Sequence, residues 1–478
     1  MKRRFMAAAV ASVLACTACA ATKVVLFFDT EDYTCDRSND AIRDIANILK
    51  SEGVKGNFNV TGFLAARIVE LKRHDVTEAL RHHVLGTQTL YHSRHPNIAE
   101  MGDNPSYEQA YRDTMAYEAK GVGMLEAAFG EGRIVFACPP GNSVSVTAFD
   151  VYSDLGIAVN AGTGFVGGDP ARGPYKEGML VRSGTEVGGL WYFNQYHFPY
   201  YRGFTLESFL PRPNKACPDF RKWCDDIAKY DFVGLYMHPH MALKTKHWDG
   251  PNYRYGNLCE WRKWKQVEDR DPADTAVYYE RMKKFIQTVK ADPRLEFTDI
   301  EQLIASFKPR RSIARSDIPA IRAALLENFG AIREPASWCV ADVFQAAVRM
   351  LRGEKEHAPG KVFGFMRRPE GVASETLVSA EDLRLAAKSL DLSTFLPSEI
   401  PVGNVKIGPA DFLFAALEVL ETGAASVKVA PREQLGSFRE VPTLENMNIS
   451  GTWCHMKEFK DRYLSERLRL QLWTLRIE

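Results

Sequence analysis

Short apolar strands alternate with amphipathic helices through the N-terminal two thirds of the chain, and this alternation constrains the fold more than any other feature. Residues 23–28 read KVVLFF, which is a buried-strand pattern. A helix is predicted at 38–51, and further strands are predicted at 54–60, 133–137 and 232–237. Because strands that alternate with helices pair in parallel, the sequence predicts an α/β layer or barrel over residues 21–307.

A basic segment, KPRR at 308–311, reads as a linker to a second, mainly α-helical domain at 312–478. This domain contains ADVFQAAVRML at 341–351 and ADFLFAALEVL at 410–420, which share five residues at a constant offset of 69. The pattern predicts a duplicated helical module, and chance likeness between two helices is the alternative. The two predicted repeats span about residues 336–370 and 405–440.

The N-terminus has the pattern of an export signal. Lys2–Arg4 are basic, Phe5–Leu14 form an apolar run too short to span a bilayer, and Ala18–Ala20 offer a cleavage site. We therefore expect residues 1–20 to be a signal peptide and the chain to be periplasmic, secreted or surface-anchored. Cys16 leaves a lipoprotein form open. No later segment is predicted to be a transmembrane helix.

Composition excludes several other classes of protein. The formal net charge is +1, so no overall field would attract nucleic acid or an anionic membrane. Seven cysteines follow residue 20, an odd number that leaves at least one free thiol or an intermolecular bond. Because none has CxxC spacing, a structural zinc cluster of cysteines is not expected.

Three carboxylates crowd the end of the first predicted strand, in the segment FFDTEDY. Asp29, Glu31 and Asp32 would repel one another unless a proton or cation neutralised them, and a divalent metal ion suits this role. His92 and His95, in the loop TQTLYHSRHP, offer imidazole groups that suit zinc and other transition metals. A solvated acidic turn and a surface loop are the alternatives.

Two further segments follow predicted strands, where barrel enzymes hold their active sites. CPPGNS at 138–143 is a turn that could direct backbone N–H groups at a substrate oxyanion. MHPHMALKTKHWD at 237–249 contains three of the eleven histidines. His238 is placed to act as a general acid, and Trp248 with Asp249 could form a sugar-stacking wall. A histidine-bearing surface loop is the alternative.

The order of these motifs resembles the polysaccharide deacetylase family of carbohydrate esterases, which is built on a distorted seven-stranded β/α barrel. FFDTEDY (27–33) resembles the family's Asp-Val-Glu-Asp-Tyr form, and GNFNVTG (56–62) its Gly-Thr-Phe-Phe-Val-x-Gly strand. GTQTLYHSRHP (86–96) occupies the place of the histidine loop. CPPGNSVSVTAFDVYSDLGI (138–157) is similar to the Pro-Gly turn and its helix, and YMHPHMALKTKHWD (236–249) to the final His-Pro segment.

The resemblance covers about residues 23–306 and implies a distorted (β/α)7 barrel with roles for particular residues. Asp29 would be the general base that takes a proton from a metal-bound water. His238 would protonate the departing amine. The oxyanion would be stabilised by the metal and by a backbone N–H near Gly141, after Pro140.

The resemblance also implies a divalent metal ion, expected to be zinc. Glu31 or Asp32 would hold it together with His92 and His95. The chain departs from the family at Gln88, which stands where the first metal histidine is usual. It departs again before the Pro-Gly turn, where Ala137 and Cys138 replace the expected arginine. Gln88, Pro140, Gly141, Trp248 and Asp249 are expected to contact substrate.

These observations predict metal-dependent deacetylation of an acetylated polysaccharide or cell-wall glycan. The alternative is a catalytically inactive deacetylase-like barrel that binds glycan or serves as a structural protein of the cell surface. For the C-terminal region, residues 396–420 resemble repeat modules that bind cell-wall polymers. A helical packing or oligomerisation domain is the alternative there.

Overall fold

The structure is a computed structural model. It describes residues 21–140, 145–161, 185–187, 190–192, 205–213, 215–230, 232–306, 310–436, 455–456, 459 and 461–476, with the backbone alone at 185–187 and 190–192. The predicted signal peptide and Gly141 lie outside the described residues.

Fifteen strands and fifteen α-helices occur in the described part of the chain. The strands are β1 (Thr22–Thr30), β2 (Asn57–Val60), β3 (Val84–Thr87), β4 (Ile134–Ala137), β5 (Val159–Asn160), β6 (Thr185–Val187), β7 (Leu190–Tyr192), β8 (Phe232–Met237), β9 (Leu295–Phe297), β10 (Ile313–Ala314), β11 (Glu356–His357), β12 (Thr376–Ser379), β13 (Ile400–Val402), β14 (Val405–Ile407) and β15 (Ser426–Val429). The helices are α1 (Ser38–Ser51), α2 (Gly62–Glu70), α3 (His74–Leu80), α4 (Ile98–Gly102), α5 (Tyr107–Phe129), α6 (Val146–Asp154), α7 (Phe220–Ile227), α8 (Gly250–Tyr253), α9 (Pro272–Lys290), α10 (Ile300–Ala305), α11 (Ile318–Glu327), α12 (Val340–Leu351), α13 (Ala380–Ser389), α14 (Pro409–Thr422) and α15 (Leu464–Leu470). Short 3-10 helices include Leu206–Phe209 and Pro239–Ala242.

The N-terminal region is a curved sheet with helices packed against it. Its strand order is β6-β7-β5-β4-β3-β2-β1-β8, and β9 pairs with the start of β1. Every pair is parallel except β6 with β7, which is antiparallel. This half-barrel of parallel strands confirms the predicted β/α class of the distorted barrel type, and the C-terminal region is mainly helical with three small antiparallel sheets.

Strand β1 lies at the centre of the sheet and is apolar on both faces. Val24, Leu26 and Phe28 belong to the large core beneath the helices, whereas Val25 and Phe27 belong to a second, smaller core. Side chains along a strand alternate between its two faces, so one strand serves both cores and reads as a continuous apolar run. Asp29 lies on this strand, and the carboxylates Glu31 and Asp32 follow its last residue, Thr30.

Helices α2 and α5 approach each other closely because glycines lie at their contact. A Cβ built on Gly62, the first residue of α2, would lie 2.6 Å from the Cα of Gly121 in α5. Such a contact cannot be relieved by rotating a side chain, because the neighbouring atoms belong to backbone. The two glycines therefore set the distance between these helices.

We expect Gly62→Ala to lower the free energy of unfolding by ~1–3 kcal/mol, the usual cost of overfilling a packed contact. Urea denaturation of the purified chain measures this. The matched control is Gly123→Ala in α5, where an added Cβ meets no atom within 4 Å. That change should stabilise the chain by ~0.5–1 kcal/mol, since glycine is costly within a helix. Equal effects at both positions would contradict the close contact.

The C-terminal region contains two units with the same order of elements. The first, at 313–357, runs β10, α11, an extended pair at Ile332 and Trp338, α12 and β11. The second, at 376–429, runs β12, α13, the β13–β14 hairpin, α14 and β15. In each unit the first strand pairs antiparallel with the last, and α12 of one unit packs against α14 of the other.

These units begin earlier than the repeat bounds proposed from sequence. The buried residues Ile321 and Leu325 of α11 correspond to the buried residues Leu383 and Ala387 of α13 at an offset of 62, not 69. The difference arises because the second unit has a longer hairpin between its helices. A search for likeness at one constant offset therefore finds α12 and α14 and misses the helices that precede them.

Residues 461–476, which we call the C-terminal strap, contact both regions of the chain. Toward the barrel, Gln471 Nε2 donates to the Asp150 carboxylate and to the Tyr107 hydroxyl, each at 3.1 Å. Toward the repeat units, the Trp473 ring packs 5.0 Å from Phe365, and Arg476 pairs with Asp342 at 2.6 Å. No described helix has both the length and the apolar character needed to cross a membrane.

Candidate active site

Two side chains meet where β1 and β8 end at the carboxyl edge of the sheet. Asp29, on β1, and His238, directly after β8, bring Oδ2 and Nε2 to 3.4 Å. Asn59 of the neighbouring β2 donates from Nδ2 to Asp29 Oδ1 at 2.9 Å and fixes the carboxylate. Burial raises the pKa of Asp29 to about 6, although the positive charge of His238 opposes this shift. The structure thus brings together Asp29 and His238, the two residues predicted to act as base and acid.

His238 is held between carboxylates on two sides. Its Nδ1 donates to Glu207 Oε1 at 2.6 Å, from the 3-10 helix Leu206–Phe209, which leaves Nε2 facing Asp29. Burial alone would lower the pKa of His238, but the charge of Glu31 and the hydrogen bond to Glu207 outweigh burial and raise the pKa to about 10. The imidazole is therefore protonated and oriented near neutral pH.

Glu31 enters the same site from the end of β1. Its Oε1 accepts a hydrogen bond from Trp248 Nε1 at 2.9 Å, and its Oε2 lies 2.5 Å from His92 Nε2. Burial alone would raise the pKa of Glu31, but the charges of His92 and His238 outweigh it and hold the pKa below its usual range. Glu31 is thus a buried, ionised and tightly positioned carboxylate.

His92 is connected onward to Asp249. Its Nδ1 lies 3.2 Å from the Ser93 hydroxyl, which donates to Asp249 Oδ2 at 3.1 Å. The backbone φ of His92 is +59°, in the left-handed region that non-glycine residues rarely adopt. This conformation turns the ring inward against Trp248, with ring centroids 5.6 Å apart. Both ring nitrogens of His92 are therefore engaged by protein groups.

Asp32 lies away from this site, contrary to the metal-binding role expected for it. Its Oδ1 accepts from the backbone and the hydroxyl of Thr34, and its Oδ2 accepts from Ser38 Oγ at 2.5 Å. Strand β1 ends at Thr30, so Asp32 lies in the loop that leads to α1, and its carboxylate contacts Ser38, the first residue of that helix. Asp32 instead connects the strand to the start of α1.

His95 also lies apart from the predicted ligands. Its Nδ1 donates to Glu100 Oε1 at 2.8 Å, and its Nε2 lies 3.4 Å from the carbonyl oxygen of Tyr253. Glu100 is held in place because it forms a capping box with Asn97 at the start of α4. The loop thus sends its two histidines in different directions, and only His92 reaches the site.

The described residues that were expected to contact substrate are all buried, and each has different neighbours. Trp248 is 1% exposed, with its ring 4.6 Å from that of Tyr33, so it orients Glu31 and does not form a sugar-stacking wall. Asp249 is buried beside His92. Gln88, at the end of β3, is buried, and its Oε1 has no hydrogen-bond partner among the described residues. Pro140 is buried after β4.

Glu207, His240 and His247 also belong to this site, although no role was predicted for them from the sequence. Glu207 is a single carboxylate 31 residues before His238, and no local spacing marks it. His240 and His247 follow β8 in the same loop as His238. Their ring centroids lie 5.8 Å and 4.5 Å from that of His238. The high number of histidines in this loop was the sequence feature that could have indicated a role for His240 and His247.

The metal ligands implied by the resemblance do not converge in the part of the chain that the structure describes. Of the four, Glu31 and His92 contact each other, whereas Asp32 and His95 bind other groups. Sets of three or more potential ligand atoms within 4.8 Å of one another occur at Glu31, His240 and His247, and at Glu207, His238 and His247. Neither set contains His92 or His95.

Comparisons with known proteins give matches among solved structures alone. A scan of protein-family models and a search of curated proteins find no match. A family 4 carbohydrate esterase from Streptomyces lividans in complex with acetate is 14% identical, with 57% of this chain and 90% of that chain covered and a TM-score of 0.29. A CE4 family pseudoenzyme from Bacillus anthracis is 13% identical over 59% of this chain and 66% of that chain, with a TM-score of 0.30.

A 4-alpha-glucanotransferase from Thermococcus litoralis also matches, at 11% identity over 61% of this chain and 41% of that chain, with a TM-score of 0.37. The likeness to polysaccharide deacetylases is one of fold.

Proposed function

We propose that this chain hydrolyses an acetyl group from an acetylated glycan, with Asp29 as general base and His238 as general acid. The observation that carries the proposal is the buried array in which Glu207, His238, Asp29 and Asn59 are joined in series across β8, β1 and β2. Such an array holds one group ready to accept a proton and another ready to donate one, within a single site.

The proposed reaction uses one water molecule. Asp29 takes a proton from the water while the water oxygen bonds to the acetyl carbonyl carbon. The bond from that carbon to the sugar nitrogen or oxygen then breaks, and His238 donates its Nε2 proton to the leaving group. Acetate and a free amine or hydroxyl are the products. Glu207 and Asn59 are positioning residues, because they fix the orientations of His238 and Asp29.

The proposed activity includes a divalent metal, expected to be zinc, only because the family resemblance implies one. A bound ion would supply Lewis acidity for the acetyl carbonyl. The ligand set implied by that resemblance does not fit, since Asp32 and His95 bind other groups. The proton transfers above are therefore assigned to Asp29 and His238 without it. We also propose that the chain acts outside the cytoplasm on an acetylated polysaccharide or cell-wall glycan, as its N-terminal pattern predicts.

A second candidate function is glycan binding without catalysis. It is favoured by a cavity of about 1010 Å³ lined in part by Tyr33, whose ring packs against that of Trp248. Aromatic rings line much of this cavity, and flat rings of this kind pack well against the apolar faces of sugars. The aromatic residues of the cavity are Tyr33, Phe63, Tyr91, Tyr253, Trp261 and Trp264.

Acetate release separates the two functions. The purified chain should release acetate from acetylated chito-oligosaccharides, acetylated xylan or peptidoglycan when incubated with Zn²⁺, Co²⁺ or Ni²⁺. Binding to the same glycans, measured by calorimetry, is the parallel assay. Acetate release supports the enzyme. Binding without acetate under any added ion supports the binding protein and rejects the hydrolase.

A further inference from the structure

Three histidines and two glutamates surround a small space on the open side of the proposed site. The ring centroids of His238, His240 and His247 lie between 4.5 Å and 5.8 Å from one another. Glu31 and Glu207 approach the same group from β1 and from the 3-10 helix. His247 is exposed, so this side of the cluster is open to solvent. Imidazole and carboxylate together suit transition metals better than they suit Mg²⁺ or Ca²⁺.

The hydrolytic mechanism gives His240 no role, although this residue lies within the cluster. The residue is 2% exposed, and neither Nδ1 nor Nε2 has a hydrogen-bond partner among the described residues. Burial of a polar ring without a partner is costly, and most buried polar groups are paired. Because His240 faces Glu31 and His247 across the cluster, an ion at that point would supply the missing partner.

We propose that Glu31, His240 and His247 bind one zinc-like transition metal ion. Their potential ligand atoms lie within 4.8 Å of one another. Ligands of a tetrahedral zinc ion, with bonds of ~2.0–2.2 Å, are roughly 3.3–3.6 Å apart, so a small inward movement closes the site. Three protein ligands leave a fourth position open toward solvent, as in catalytic zinc sites.

The surroundings of Glu31 support this assignment. Trp248 Nε1 and His92 Nε2 contact its two oxygens and hold the carboxylate in one orientation. Metal-binding carboxylates are commonly fixed by outer-shell partners of this kind. His92 is therefore assigned as a partner of the ligand Glu31 and not as a ligand itself. The inference rests on the proposed function for the role of the metal, but metal binding can be measured without any hydrolysis.

The test is Co²⁺ titration of the full chain after chelator treatment, followed by the visible absorption of bound Co²⁺, with Zn²⁺ calorimetry as a second measurement. We expect one ion per chain. His240→Ala and His247→Ala should each weaken binding by at least ~100-fold, since loss even of an outer-shell partner costs 10–100-fold. Because His247 is exposed, its replacement keeps the test valid if the buried His240 variant fails to fold.

Two further variants discriminate between ligand sets. His95→Ala should leave the Co²⁺ affinity within about twofold, and so should His82→Ala, an exposed histidine that serves as the matched control. No binding by the unsubstituted chain would overturn the proposal, as would loss of binding in His95→Ala with retention in His247→Ala. Co²⁺ binding that depends on His247 without any acetate release would reject the hydrolase and leave the metal site standing.

Discussion

Asp29→Asn is expected to lower kcat/KM for acetate release by ~10²–10⁴-fold, the usual contribution of a positioned general base. The amide occupies the same space and can still contact Asn59 and His238, but it cannot take a proton from water. Circular dichroism and the thermal midpoint should change little. The measurement is acetate release under saturating metal, with the variant and the unsubstituted chain prepared in parallel.

The matched control for this variant is Asp32→Asn. Both changes replace a buried aspartate in the same segment, yet Asp32 contacts Thr34 and Ser38 and not His238. Acetate release by Asp32→Asn should therefore stay within a few-fold of the unsubstituted chain. An inactive Asp32 variant beside an active Asp29 variant would reverse the assignment of the general base.

Arg476→Leu is expected to lower the free energy of unfolding by ~3–5 kcal/mol, because it leaves the buried carboxylate of Asp342 without its partner. The two side chains are 2% and 0% exposed, and the guanidinium donates to both oxygens of Asp342 at 2.8 Å and 2.6 Å. Asp342 also accepts the backbone N–H of Cys339 at the start of α12. Urea denaturation followed by tryptophan fluorescence measures the loss.

Arg322→Leu is the control for this prediction. Arg322 pairs with Glu418 at 2.9 Å within the same region, but its side chain is 26% exposed. Exposed pairs contribute only ~0–1 kcal/mol, so this variant should unfold near the unsubstituted chain. If the Arg322 and Arg476 variants lost similar amounts of unfolding free energy, burial would not make the Arg476–Asp342 pair more stabilising than an exposed pair.

Local patterns predicted the elements that carry strong periodicity. The apolar run of β1 and the amphipathic pattern of α1 mark both elements clearly, and the structure places α1 at Ser38–Ser51 as predicted. α7 was not predicted, although Asp219 caps it and Phe220, Trp223, Cys224 and Ile227 are buried on one face. Its eight residues form only about two helical turns, which is too short a stretch for the periodicity of the buried side chains to stand out in the sequence.

The functional site was predictable where a motif coincides with a strand end. Asp29 and His238 follow apolar runs directly, so the parallel sheet brings them together. Asp32 could have been separated from Asp29 because it lies beyond the end of the apolar run, beside the hydroxyl residues Thr34 and Ser38, which donate to it. His95 could have been separated by the Asn97 and Glu100 capping box, which gives it a partner. Glu207 required the three-dimensional structure, since its relation to His238 has no local signature.

The C-terminal strap makes the barrel dependent on a part of the chain that is synthesised much later. Gln471 lies 364 residues after Tyr107, the barrel residue to which it donates. While the ribosome is still translating the repeat units, the face formed by Tyr107 and Asp150 has no covering partner from the strap. Final closure of the barrel surface must therefore follow translation of the strap. A chain interrupted before it would present this face to chaperones and proteases, which would distinguish incomplete chains from finished ones.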